Sequence, residues 1–124
     1  MTTPVVGIEI EPRTYAPGDS VRGRVRVLSD RAARGLDVVL RYREASPGRN
    51  HVAREHGRQR LAEGALAAGA RYEFALTLPP DALPPYGSLR ARLVWEVAAR
   101  VDVRGSDPQA AVEITVAGAG AAWM

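Results

Sequence analysis

The chain has no cysteine and no lysine, and only one asparagine (Asn50) and one phenylalanine (Phe74), among its 124 residues. Without cysteine there is no disulfide, no thiolate metal site and no thiol nucleophile, which fits a reducing, cytoplasmic setting. No apolar run approaches the roughly 20 residues of a membrane-spanning helix, so no membrane insertion is expected. Residues 1–10 place no basic residue ahead of an apolar core, so no export leader is expected either. Because lysine is missing, every cation except the two histidines is an arginine. With abundant Ala, Gly and Pro, that pattern points to a GC-rich genome.

What is present is ordinary for a globular chain: 46% hydrophobic and 25% charged residues, enough for one core and too apolar for disorder. Seventeen arginines are interleaved with fourteen acids, leaving a net charge of only +3. A nucleic-acid function needs a concentrated basic stripe, and this interleaving argues against one. Twelve Gly and nine Pro predict many turns.

Alternation with period 2 is the main signal. In residues 21–27, Val21, Gly23, Val25 and Val27 share one face and Arg22, Arg24 and Arg26 the other, as in a strand half buried on a core. Leu36, Val38, Leu40 and Tyr42 alternate in the same way with Asp37, Arg41 and Arg43. Tyr72, Phe74, Leu76 and Leu78 alternate with Glu73 and Thr77. Near the ends, Val6, Ile8 and Ile10 oppose Glu9 and Glu11, and Val112, Ile114 and Val116 oppose Glu113 and Thr115. The longest run, residues 89–103, exceeds the usual strand length and predicts a bend or bulge.

Turn chemistry separates these segments. Ala16-Pro17-Gly18-Asp19 puts Pro and Gly at the centre of a type II turn, where Pro fixes one angle and Gly supplies the positive one. Ser46-Pro47-Gly48-Arg49 punctuates the chain in the same manner. Residues 51–70 are ambiguous: Ala, Arg, Glu and Leu favour helix, but Gly57, Gly64 and Gly69 interrupt it. A strand with a hairpin over roughly 51–61 is the favoured reading. The small-residue tail 117–124 is expected to fray, unless Trp123 docks. Strands at this spacing predict an all-β, immunoglobulin-like antiparallel sandwich of about seven strands, filling residues 1–116 as a single domain.

These residues resemble the arrestin-like β-sandwiches. Val6-Gly-Ile-Glu-Ile, followed by Tyr15-Ala-Pro-Gly-Asp-Ser-Val-Arg-Gly-Arg-Val, is similar to the family's opening strand, turn and second strand. Ala68-Gly-Ala-Arg-Tyr-Glu-Phe-Ala-Leu-Thr-Leu-Pro-Pro, then Leu83-Pro-Pro, Gly87-Ser and Val94-Trp-Glu-Val-Ala-Ala-Arg-Val, resembles the strand, Pro-rich loop and long strand of arrestin amino-terminal domains. Receptor-binding arrestins have two such sandwiches, whereas this length holds one. Their phosphate-sensing basic pair has no counterpart in the acidic segment 5–11, so phosphoreceptor recognition does not carry over. The resemblance implies a non-catalytic, arrestin-type sandwich acting as an adaptor or scaffold, as in retromer-type and bacterial sporulation-control relatives.

Candidate chemistry is sparse. His51, Glu55 and His56 contain a metal-ligand set, but in a strand His51 and His56 face opposite sides, and in a helix the offset is not that of metal histidines. Ser20, Ser29, Ser46, Ser88 and Ser106 sit in turn-like contexts without a nucleophile elbow. No enzyme activity, metal or cofactor is expected. Trp95 reads as core packing.

Two features are candidates for protein contact. Tyr86 is held between Pro85 and Gly87 on a stiff loop, and the row Arg22, Arg24 and Arg26 has Arg41 and Arg43 as candidate neighbours. The simpler expectation for the row is cross-strand pairing with acids; left unpaired, it would attract an acidic partner or phosphate. The partner is expected to be another protein, and an exposed edge strand would also admit a second copy as a homodimer. The alternative is a small-ligand or carbohydrate-binding sandwich using loop aromatics, which one Phe and two Trp support poorly.

Overall fold

The computed structural model describes residues 4–46, 49–80, 86–87, 92–105 and 107–116, with side chains for all of these except 44–46, 49–53, 86–87 and 92–93. The elements are β1 (Val6–Ile10), β2 (Thr14–Tyr15), β3 (Ser20–Val27), β4 (Gly35–Ser46), β5 (Arg49–Glu63), β6 (Arg71–Thr77), β7 (Tyr86–Gly87), β8 (Arg92–Asp102) and β9 (Gln109–Val116). Seven of these have five or more residues, and β2 and β7 are two-residue pieces. No helix occurs among the described residues. The expected all-β sandwich of about seven strands is therefore what forms.

The small sheet has the order β1-β3-β6, and the large sheet the order β2-β9-β8-β4-β5 with β7 also on β8. Pairing is antiparallel throughout except between β2 and β9. Inward residues follow the alternation. Val21, Val25 and Val27 of β3 meet Leu36, Val38 and Leu40 of β4 and Val97 and Val101 of β8 in one apolar core. Trp95 is 1% exposed, with Tyr42 at 5.0 Å and His56 at 4.8 Å between ring centroids, so it packs the core as expected. Burying side chains of this size contributes about 1.5–3 kcal/mol each.

The Ala16-Pro17-Gly18-Asp19 turn forms as expected: Gly18 has φ +88°, and the Asp19 N–H donates to the Ala16 carbonyl at 3.0 Å. Asp19 Oδ2 accepts from the Ala16 N–H at 2.9 Å, and the Tyr15 hydroxyl donates to the Glu11 carbonyl at 2.8 Å. Tyr15 is buried, and burial pushes its hydroxyl above the ordinary 10.0 against the lowering effect of Arg13. A different glycine constraint acts at Gly23, where a Cβ would collide with the Glu9 carbonyl and come within 2.8 Å of the Phe74 ring. That glycine lets Phe74 sit beneath β3.

The bulges fall elsewhere than the long apolar run suggested. β8 pairs with β4 from Arg92 to Asp102 without a register shift, while residues 89–91 lie outside the described set. Against β5, β4 shifts register three times, between Leu36/Asp37, Leu40/Arg41 and Tyr42/Arg43, leaving Leu61, His56 and Ala53 as the extra residues. Each extra residue reverses the inside–outside parity of the strand beyond it. The ambiguous segment is thus a fifteen-residue strand whose alternation is broken three times, and it forms the second arm of a hairpin with β4. Residues 47–48, where the sequence predicts a turn, and the tail 117–124 lie outside the described residues.

Candidate interaction surfaces

The outer face of the large sheet is buried further than an outward face needs to be. Val39 and Ala98 are 0% exposed, and Asp37, Arg41 and Glu96 are buried beside them. On this face β4 and β8 place Arg41 opposite Glu96 and Val39 opposite Ala98. Arg41 Nε and Nη2 both reach Glu96 Oε1, at 2.6 and 2.5 Å, and Arg43 Nε lies 3.0 Å from Glu96 Oε2. One buried carboxylate is thus clamped between two guanidiniums, the arrangement that low dielectric demands if a charge is to stay ionised.

Two further contacts run over β4, which lies between β5 and β8. Glu55 of β5 meets Arg100 of β8 at 3.0 Å, and Arg60 of β5 meets Asp102 of β8 at 3.3 Å and Asp37 of β4 at 3.1 Å. These straps cover Val39 and Asp37. Gly35 makes room for one of them, since a Cβ there would collide with Arg60 Nη1 and the Ala62 carbonyl. Burial alone would raise the Glu55 carboxyl, but Arg100 and Arg58 together hold it below its ordinary 4.5.

The outer face of the small sheet is organised differently. Arg24 lies in register between Glu9 and Glu73, Arg26 between Gly7 and Arg71, and Arg22 opposite Ala75. Arg26 pairs with Glu9 at 3.1 Å, as the cross-strand expectation required. Arg22 and Arg24 make no ion pair among the described residues, although acids flank Arg24. Beside them a notch of about 440 Å³ opens between Glu9, Glu11, Glu73, Arg22 and Arg24, with Ile10 and Phe74 in its wall. Arg41 and Arg43, expected as neighbours of this row, instead lie in the opposite sheet and are held by Glu96.

Of the other candidates, Tyr86 has its backbone in β7, paired with Leu93 at the start of β8, and its side chain is outside the described set. His56 is a bulge residue whose ring packs at a tilt against Trp95, while Glu55 is turned to the outer face and bound to Arg100. Sequence reasoning missed the buried Arg41–Glu96 pair. A signal existed in Val38-Val39-Leu40 and Val97-Ala98-Ala99, apolar runs that mark strands covered on both faces.

The sheet edges complete the surface. The edge of β6 is blunted by Gln59, whose Oε1 accepts from the Ala75 N–H at 3.3 Å. The outward edge of β5 pairs with no strand among the described residues, and it carries Arg54, Arg58 and Arg60 and three bulges. Charge and bulging are devices that discourage unspecific edge pairing.

No family model matches the sequence, and no curated protein matches it. Among solved structures, the chain is similar to Spo0M, a sporulation control protein from Bacillus subtilis, with a TM-score of 0.66 and 22% identity over 90% of this chain. The match takes in 48% of Spo0M, so this chain spans about half the length of that protein. At that identity the likeness concerns architecture: two stacked sheets in the same arrangement, from a different set of side chains. The fold of this chain is the arrestin-type β-sandwich that its turn and strand motifs resemble.

Proposed function

We propose that this chain is a non-enzymatic protein-interaction module that works inside the cell as an adaptor or scaffold, making contact through the outer face of its small sheet. The observation that carries this reading is the contrast in charge pairing. Arg22 and Arg24 stand on the central strand of the small sheet without an ion pair among the described residues, while Arg41, Arg43, Arg58, Arg60 and Arg100 on the outer face of the large sheet are each held by an acid. The backbone beneath these cations is already ordered by the sheet, so a partner that takes them up has only side-chain freedom left to offset. The arrestin-type fold supports the adaptor class, as in the relatives the motifs resemble. The unpaired edge of β5 supports a second mode of contact, strand addition by a partner or a second copy.

In vivo cross-linking of the tagged full chain, compared with an Arg22→Glu/Arg24→Glu variant, tests the reading. A protein captured by the wild type and lost from the variant is the expected result. Capture unchanged by the variant removes this face from the proposal, and the absence of any cross-linked protein overturns the adaptor role. Light scattering at rising concentration tests the edge separately, since a second copy on β5 would double the mass.

A further inference from the structure

Arg26 and Arg71 are directly opposite one another across β3 and β6, both exposed. Like charges in that register repel, and an antiparallel sheet normally avoids them. Only one carboxylate serves the two: Glu9 binds Arg26 at 3.1 Å, and Arg71 makes no ion pair among the described residues. At the same end of the same face, Leu28 is 46% exposed and is the only exposed large apolar side chain among the described residues. A Cβ on Gly7 would touch Leu28 Cδ1 at 3.6 Å, so Leu28 lies along the outer surface of β1, beside the position where Gly7 faces Arg26. An uncompensated guanidinium, a second one next to it and an apolar side chain are thus aligned across three hydrogen-bonded strands.

We propose that this end of the small sheet, Arg71–Arg26–Leu28, docks an extended acidic segment of a partner protein that carries an apolar side chain beside its carboxylates. The inference rests on the interaction-module reading and names the chemistry of its partner. Neighbouring strands are about 4.8 Å apart, and an extended segment turns side chains two apart, about 6.8 Å from one another, to the same face, so such a pair reaches from Leu28 over β1 to a point between Arg26 and Arg71. A carboxylate bridging both guanidiniums removes the repulsion between them and makes charge-assisted hydrogen bonds to each. A nucleic acid fits worse: its regular phosphates would continue along the face onto Glu9 and Glu73, which flank Arg24.

The test is fluorescence anisotropy with a short labelled peptide containing Glu-Leu-Glu-Glu between Gly-Ser flanks. Comparators are the same peptide with Gln for Glu, the same with Ser for Leu, and a single-stranded oligonucleotide of equal charge. Arg71→Glu should weaken the peptide by about tenfold and Leu28→Ser by about threefold. Arg104→Glu, which makes the same charge reversal at an exposed loop position after β8 of the large sheet, should leave binding within about twofold. The Arg71→Glu variant should also melt higher, by roughly 1–5 °C, because glutamate then faces Arg26. A site kept for stability alone would not exchange binding for stability in this way.

Equal losses for Arg71→Glu and Arg104→Glu would reduce the effect to net charge and overturn the proposal. Failure of the peptide to bind, or an oligonucleotide that binds as tightly, would do the same. If a protein is cross-linked in vivo but the peptide fails, the partner chemistry is wrong and the module reading stands. If the peptide binds at Arg71 and no protein is cross-linked, the site stands and the module reading falls.

Discussion

On the outer face of the large sheet, Arg41, Arg43, Arg58, Arg60 and Arg100 each reach a carboxylate, whereas on that of the small sheet only Arg26 does so among the described residues. The residue types are the same; what differs is depth. β4 is flanked by two long strands, and side chains from both lean over it, so its charges are taken out of water and have to be neutralised in place. The small sheet has three strands and no such cover among the described residues, so an unpaired arginine stays hydrated and costs little. Pairing on one face therefore belongs to folding, and its absence on the other leaves the exposed charge that the proposed contact requires.

The sharpest way to break this comparison is to remove the buried carboxylate. Glu96→Ala leaves Arg41 and Arg43 without their shared partner, and a buried charge stranded in this way costs about 3–5 kcal/mol. Arg22→Ala, on the exposed face, should change stability by less than about 0.5 kcal/mol. Urea unfolding of both variants checks the pair. Similar small losses would mean that the large-sheet network is as superficial as the small-sheet row.

A smaller effect separates packing from charge. Gly23→Ala pushes a methyl group against the Glu9 carbonyl and the Phe74 ring, and overpacking of that kind costs about 1–3 kcal/mol. If the variant is as stable as the wild type by the same measurement, β1 can move away from β3, and the small sheet is looser than a rigid docking platform requires.

Six of the seven long strands were legible because their alternation is uninterrupted: β3 repeats Val-x-Gly-x-Val-x-Val, and β8 holds Trp95, Val97, Ala99 and Val101 inward. β5 reads as a strand only because Gly57, Gly64 and Gly69 argue against a helix, since Leu61, His56 and Ala53 each insert one residue into the ladder and scramble its period of 2. The same bulges set which β5 residue faces which β4 residue, so the straps from Glu55 and Arg60 across β4 depend on a register that no local pattern encodes. The Arg22, Arg24 and Arg26 row was visible as an outward face, but Arg71 opposite Arg26 became meaningful only once β6 was aligned on β3.

The gentlest probe of the comparison is acid. Glu55 titrates below its ordinary 4.5 in the folded chain because Arg100 and Arg58 outweigh its partial burial, so near that pH the unfolded chain binds more protons at this site than the folded one. Stability from the Glu55 strap is accordingly present above pH 4.5 and is lost as pH falls through the lowered folded value. Glu55→Gln removes that titration, and below pH 4.5 the variant should lose stability less steeply than the wild type when unfolding free energies are compared at matched salt. Parallel pH profiles would show that Arg100 and Arg58 do not hold Glu55 in solution. The cover over Val39 would then have to come from Arg58 and Arg60 alone, and the large-sheet face would be open to partners in the same way as the small one.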